Sequence, residues 1–237
     1  MTAAAEVRTS APAIDVDAIL AKARTLTGAQ PFRYRFSSAG EPCLRALVYD
    51  AQDADDGKEP PAESRKLSHL LSAVCGTAVG AHLEKAAALL GYETQKAHEF
   101  STGGIVIRGS SDIAAPGCVL DLKLVGEKKW ERVQKEPDLK HLMQVNGYAV
   151  QNDSPRWALL YLRGLTIFDG SEEPETLLHE GAASIELAQV LCGIWEDVEQ
   201  HRKLRTLPER VFGAKPDGWP CAWCRHLERC APEREEE

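Results

Sequence analysis

Over residues 65–91 the apolar positions Leu67, Leu70, Leu71, Val74, Cys75, Ala78, Val79, Leu83, Ala86 and Leu90 recur at helical spacing. At 100° per residue they fill one broad arc, which predicts a long amphipathic helix with that arc against the core. His82 falls in the middle of the arc and Glu84 outside it. From Ile105 the period changes. A β-branched run over 105–107 continues through Arg108-Gly-Ser-Ser-Asp112-Ile113, and Pro116-Gly117 offers a turn. Residues 118–124 then alternate, Leu120, Leu122 and Leu124 on one side, Val119, Asp121 and Lys123 on the other. This predicts a hairpin that sets Asp112 beside Asp121. A helix is expected over 138–150, packing through Leu139, Leu142, Met143, Ala149 and Val150, with Lys140, Gln144 and Tyr148 stacked along another side. Residues 157–163 read as a third strand. Residues 180–201 read as a long closing helix, packing through residues such as Leu191, Trp195 and Val198. The order helix, strands, helix, strand, helix is that of an α/β layered domain.

The remaining segments read as decorations on that domain. Residues 1–13 are rich in Ala, Thr, Ser and Pro and look loose, and Asp15 or Asp17 caps a short helix that ends before Gly28 and Pro31. Residues 50–63, with Gly57 and Pro60-Pro61, read as an exposed loop. The expected organisation is an extension over 1–30, one domain over 31–231 and an acidic tail over 232–237. No solenoid-length repeat and no phosphate-cradling Gly-x-x-x-x-Gly-Lys-Ser/Thr loop occurs, so a built-in motor is not expected.

Composition narrows the class. Apolar residues make up 43% of the 237 and charged residues 27%, which excludes disordered, collagenous and coiled-coil chains. The longest apolar stretch, 157–162, is too short to span a bilayer, and the N-terminus lacks the pattern of a signal peptide. A cytoplasmic protein without a membrane partner is expected. The net charge of −8 resides in residues 50–63 and 228–237, so the rest of the chain is neutral. Basic residues gather over 201–215 and, mixed with acids, over 123–140, and both stretches read as solvated faces.

Two sets of residues carry candidate chemistry. Asp112 and Asp121, set together in a core-flanked hairpin, are a costly arrangement unless something neutralises them, and a divalent cation would do so. Seven cysteines in a chain with no export signal argue against a disulfide framework. Cys75, Cys118 and Cys192 lie among apolar residues and read as small core residues. The other four are Cys43, alone near the N-terminus, and Cys221-Ala-Trp-Cys224 followed by Cys230. They suit either a [4Fe–4S] cluster on all four or Zn²⁺ on a local knuckle of Cys221, Cys224, His226 and Cys230.

His82, Gly109-x-x-Asp112, Asp121-Leu122-Lys123 and Gln144-x-x-x-Tyr148 occur in the order and approximate spacing of the PD-(D/E)XK nuclease superfamily. With the one early and three late cysteines, the chain resembles the RecB-like iron–sulfur branch, which includes CRISPR-associated (Cas-four-type) and phage exonucleases. The resemblance spans residues 31–231. It implies a restriction-endonuclease-like α/β core, a mixed sheet flanked by helices, with a C-terminal iron–sulfur segment. It also implies a metal-dependent DNA exonuclease acting on single strands or ends, in recombination, repair or phage DNA metabolism. Asp112, Asp121, Lys123, Gln144 and Tyr148 would be catalytic. Asp112, Asp121, His82 and the backbone carbonyl of Leu122 would hold Mg²⁺ or Mn²⁺, with Glu84 the alternative to His82. Cys43, Cys221, Cys224 and Cys230 would hold the cluster. DNA is the implied partner, with a recombination, helicase or CRISPR-adaptation protein as a further one. The competing functions are a subunit of such a complex and a catalytically silent, zinc-stabilised nucleic-acid-binding module.

Overall fold

The computed structural model describes residues 32–58, 67–168, 173–210, 220–221 and 224–230. The expectations for residues 1–30, for the tail over 232–237 and for part of the basic stretch over 201–215 lie outside the described residues. A 3₁₀ turn, Phe36–Ser38, leads to α1 (Leu44–Asp55) and the long α2 (Leu67–Leu89). Then come β1 (Glu93–Thr102), β2 (Ile105–Ala115) and β3 (Cys118–Val125), the helices α3 (Glu127–Val133) and α4 (Leu139–Gln151), and β4 (Arg156–Arg163). The short α5 (Gly164–Phe168), β5 (Thr176–Ala182), α6 (Ile185–Leu204) and the single turn α7 (Leu227–Cys230) complete the described chain.

The five strands form one sheet in sequence order. All neighbours are antiparallel except β3 and β4, which run parallel, Asp121 opposite Leu159 and Lys123 opposite Tyr161. A parallel pair needs a crossover, and α3 with α4 supplies it. The core lies where α4, α6 and α1 meet the sheet: Val48, Ile107, Val119, Val145, Tyr161, Leu191 and Trp195 are fully or almost fully buried there. The result is a mixed α/β core, a central sheet flanked by helices.

Several expectations change. The 50–63 segment does not begin as a loop, because α1 runs through Asp55. Its acids are paired with later basic residues, Asp53 buried and Asp55 and Asp56 exposed. Asp55 pairs with Arg202 (2.8 Å), Asp56 with Arg205 (2.9 Å) and Asp53 with Arg229 (2.7 Å), so the acidic segment and the later basic segments neutralise one another. The closing helix begins at Ile185 rather than Glu180. Ser184 caps it by accepting from the Leu187 N–H (3.1 Å), and residues 176–182 form edge strand β5. Strand β1 went unread because its sequence, ETQKAHEFST, is polar nearly throughout, with only His98 fully buried. Leu139 is exposed, not packed. Cys75, Cys118 and Cys192 are half-buried, at the margin of the core.

The largest difference is α2. Leu71 and Val74, from the expected core arc, are each 54% exposed, and His82 is exposed with them. The side turned inward carries Gly76, Gly80 and Glu84, one turn apart. A Cβ on Gly76 would lie 3.7 Å from Leu124 Cβ, so glycine lets this helix approach the sheet, beside the half-buried Cys75, Val79 and Leu83 of the expected arc.

Candidate active site

The hairpin of β2 and β3 turns at Gly117, whose φ of 79° suits glycine. Its ladder runs Ala115↔Cys118, Ala114↔Val119, Ile113↔Leu120, and stops. The next pair would be Asp112 and Asp121. There the strands part, and the Asp112 carboxylate takes over the pairing by accepting the Leu122 N–H at Oδ2 (2.6 Å). The two acids therefore stand at a break in the sheet, beside a cleft of roughly 980 Å³.

Asp121 is 1% exposed. Burial pushes its carboxyl up to about 6; the Lys123 charge opposes that shift and Asp112 adds to it. Lys123 Nζ lies 2.5 Å from Asp121 Oδ2, a buried ion pair. The ammonium offsets part of the cost of burying the carboxylate.

Helix α4 delivers the other expected pair. Gln144 donates from Nε2 to Tyr148 Oη (3.0 Å), and both are buried. Tyr148 stacks on His98 of β1, ring centres 4.9 Å apart, and leans on Phe36 (5.0 Å). It approaches β2 so closely that a Cβ on Gly109 would fall 2.6 Å from its hydroxyl. Gly109 is thus the one residue that admits the ring. Burial first, and the Asp121 charge next, push the Tyr148 phenol well above its usual range, so it is neutral and serves as a hydrogen-bonding group. Burial holds His98 down to about 4, and its neutral ring hydrogen-bonds Ser111 Oγ (2.9 Å).

Asp112, Asp121, Leu122, Lys123, Gln144 and Tyr148 all line this cleft, and His82 does not. Glu84 does, its Oε1 accepting from Gln95 Nε2 (2.7 Å), which also reaches Asp112 Oδ1 (3.3 Å). The signal for Glu84 was the small-residue stripe Gly76-x-x-x-Gly80-x-x-x-Glu84. Gln95 left no signal in its polar strand. Arg33, Arg35 and Arg108 also line the cleft and were missed, lying outside both basic stretches. The chain before α1 places two of them: Arg108 N–H donates to Tyr34 O (2.9 Å), so residues 34–35 run beside β2.

Among the described residues no three His, Cys, Asp or Glu side chains stand close enough to form a ready-made metal cluster. The chemistry of Asp112, Asp121 and Glu84, three hard oxygen donors on one cleft, nevertheless suits Mg²⁺ or Mn²⁺.

Of the four cysteines, the first lies at the N-terminal end of α1. Cys43 is its N-cap residue. The C-terminal segment docks along the same helix: Arg225 Nε donates to Asp50 (2.7 Å), and Arg229 pairs with Asp53 and covers the Tyr49 ring at 4.2 Å. His226, 4% exposed, places Nε2 2.8 Å from Asp50 Oδ1. Burial raises the Cys224 thiol, and Cys43, Cys221 and Cys230 raise it further.

No family model and no curated protein matches the sequence. Solved structures do. The crystal structure of SSO0001 is similar over 90% of this chain and 95% of its own, with a TM-score of 0.57 and 18% identity. LHK-Exo in complex with dAMP is similar over 73% of this chain and 91% of its own, with a TM-score of 0.50 and 9% identity. A second LHK-Exo structure, an alkaline exonuclease from Laribacter hongkongensis, gives 0.49 over the same shares. What this chain has in common with SSO0001 and the first LHK-Exo structure is the fold, a central mixed sheet flanked by helices.

Proposed function

We propose that the chain is a metal-dependent deoxyribonuclease, an exonuclease that hydrolyses phosphodiester bonds at DNA ends or in single strands. The observation that carries this reading is the convergence of Asp112, Asp121, Lys123, Gln144 and Tyr148 on one cleft, in a fold shared with an exonuclease. Asp112 and Asp121 would hold Mg²⁺ or Mn²⁺, and Glu84 takes the place that the sequence pattern favoured for His82. Bound there, the cation supplies charge neutralisation at the phosphate and a more acidic water. Lys123, tethered by Asp121, holds the attacking water and offsets negative charge. Gln144 and the neutral Tyr148 orient a phosphate oxygen or that water. Arg33, Arg35 and Arg108 draw the polyanion to the cleft of an otherwise acidic chain. A role in recombination, repair or phage DNA metabolism fits this chemistry.

A structural [4Fe–4S] cluster is favoured over the zinc knuckle because His226 Nε2 is engaged by Asp50 and Cys43 caps the same helix on which the C-terminal cysteine segment docks. Anaerobically purified protein should then be brown, and Cys43→Ala should bleach it. Colourless protein with stoichiometric zinc and no iron, unchanged in Cys43→Ala, would support the knuckle.

The test of activity is digestion of end-labelled linear DNA, single- and double-stranded, beside covalently closed circles, with Mn²⁺ and with excess chelator. Release of label from linear DNA only, abolished by chelator, is expected. Cleavage of circles rejects the exonuclease mode, and cleavage in chelator rejects metal dependence.

A further inference from the structure

Gln95 is the most unusual residue in the cleft. It lies within β1, yet its φ is 50°, in the left-handed region that an unbranched non-glycine residue enters at a cost. The neighbouring rungs, Thr94↔Ile113 and Lys96↔Ser111, are formed on either side, and Gln95 itself is left out of the ladder opposite Asp112. Its side chain makes three hydrogen bonds. The amide oxygen accepts from Ser110 Oγ (3.0 Å), while the NH₂ group donates to Glu84 Oε1 (2.7 Å) and to Asp112 Oδ1 (3.3 Å). The two carboxylates fix which end of the amide faces which way, since only its nitrogen can donate to them, and the oxygen is left to accept from the serine.

We infer that Gln95 is a positioning residue that ties Glu84 of α2 to Asp112 of β2, so that both carboxylates face the cleft before a cation arrives. The inference rests on the nuclease reading and deepens it. Two carboxylates brought together repel, and Glu84 sits on a helix whose outer face is largely exposed. A neutral amide satisfies one oxygen of each acid without adding a charge that would compete with the cation, as a lysine would. Glu84 Oε2 is untouched by it, and Asp112 Oδ2 is held independently by Leu122 N–H. The left-handed backbone of Gln95 is what aims the amide between the acids. Outer partners of this kind orient metal ligands, and their loss costs roughly 10–100-fold in metal affinity.

The experiment measures Mn²⁺ binding to the full chain by calorimetry and by the electron paramagnetic resonance of bound Mn²⁺, in the wild type, Gln95→Ala and Gln95→Gly. Glycine accepts the positive φ, so Gln95→Gly removes the amide while relieving the backbone. Both variants should bind Mn²⁺ about 10-fold or more weakly, and Gln95→Gly should melt, metal-free, no lower than the wild type. Its cleavage of DNA should recover at raised Mn²⁺, because the ligands themselves remain. Wild-type Mn²⁺ affinity in Gln95→Gly overturns the inference. If the wild type binds Mn²⁺ and Asp112→Ala loses it while Gln95→Gly keeps it, the inference alone falls. A wild type that binds no Mn²⁺ overturns the nuclease reading and the inference together.

Discussion

Helices α2 and α4 line the same cleft by opposite means. On α4 every residue from Met143 to Ala149 is buried, and Gln144 and Tyr148 are held by close packing: Phe36, His98 and the bare backbone of Gly109 surround the Tyr148 ring. On α2 most positions are exposed, and Glu84 is held by a stripe of glycines and one polar bridge to Gln95. Packing fixes the first contribution and hydrogen bonding the second. A close-packed site residue is costly to disturb, whereas a bridged one can be freed by a single side-chain change.

The largest effects are expected at the acids between the two helices. Asp121→Ala and Asp112→Ala should each lower DNA cleavage by at least about 10³-fold, as loss of a principal electrostatic element does, with circular dichroism unchanged. Asp121→Ala that cleaves DNA near the wild-type rate would remove the site. Stability should move the other way. Burial pushes the folded Asp121 carboxyl up to about 6, above the usual carboxylate range near 3.8, so the native state holds the proton more tightly than the unfolded chain. Metal-free stability is therefore greatest below pH 4 as far as this group is concerned, and is lost as pH rises through 6, by a few kcal/mol (about 1.4 per unit). Asp121→Asn should flatten that dependence, and thermal melts from pH 4 to 8 in chelator would show it.

How much of this was legible follows the same division. The nearness of Asp112 to Asp121, the Asp-x-Lys alternation and the Gln144–Tyr148 spacing were readable because strand and helix periods place side chains directly, although the ladder itself ends one pair short of the two acids. His82 was misplaced because the large apolar residues of α2 were assumed to mark its inner face. Glycines share that face, where the helix runs close to Leu124. Glu84 followed from the same error. Strand β5 was missed because its alternation, with only one half-buried face, merged with the helix behind it. Arg33 and Arg35 reach the cleft through the hydrogen bond between Arg108 N–H and Tyr34 O, a long-range contact with no local pattern.

Glycine-to-alanine exchange sharpens the contrast between the helices. In α4 a Cβ at Gly147 would meet Phe36 Cδ1 at 2.5 Å, so Gly147→Ala should destabilise by about 1–3 kcal/mol despite better helix propensity. In α2 a Cβ at Gly80 would meet only Glu84 Oε1, at 3.8 Å, so Gly80→Ala should stabilise by up to about 1 kcal/mol. Denaturant melts that give both variants the same sign would break the comparison. The smallest effect is expected at the exposed pair of Arg108 with Glu99 (2.9 Å): Glu99→Ala should change stability by less than about 1 kcal/mol in the same melts.

The most direct test of the central claim, that this cleft is a cation-dependent phosphodiesterase, is a single-turnover assay on end-labelled DNA comparing the wild type with Asp121→Asn. Asparagine keeps the shape of the side chain and removes the charge. The account predicts Mn²⁺-dependent release of nucleotides by the wild type and none above background by Asp121→Asn, which should fold at least as stably without metal. Equal rates in the two proteins, or no release by the wild type at any Mn²⁺ or Mg²⁺ concentration, would contradict it.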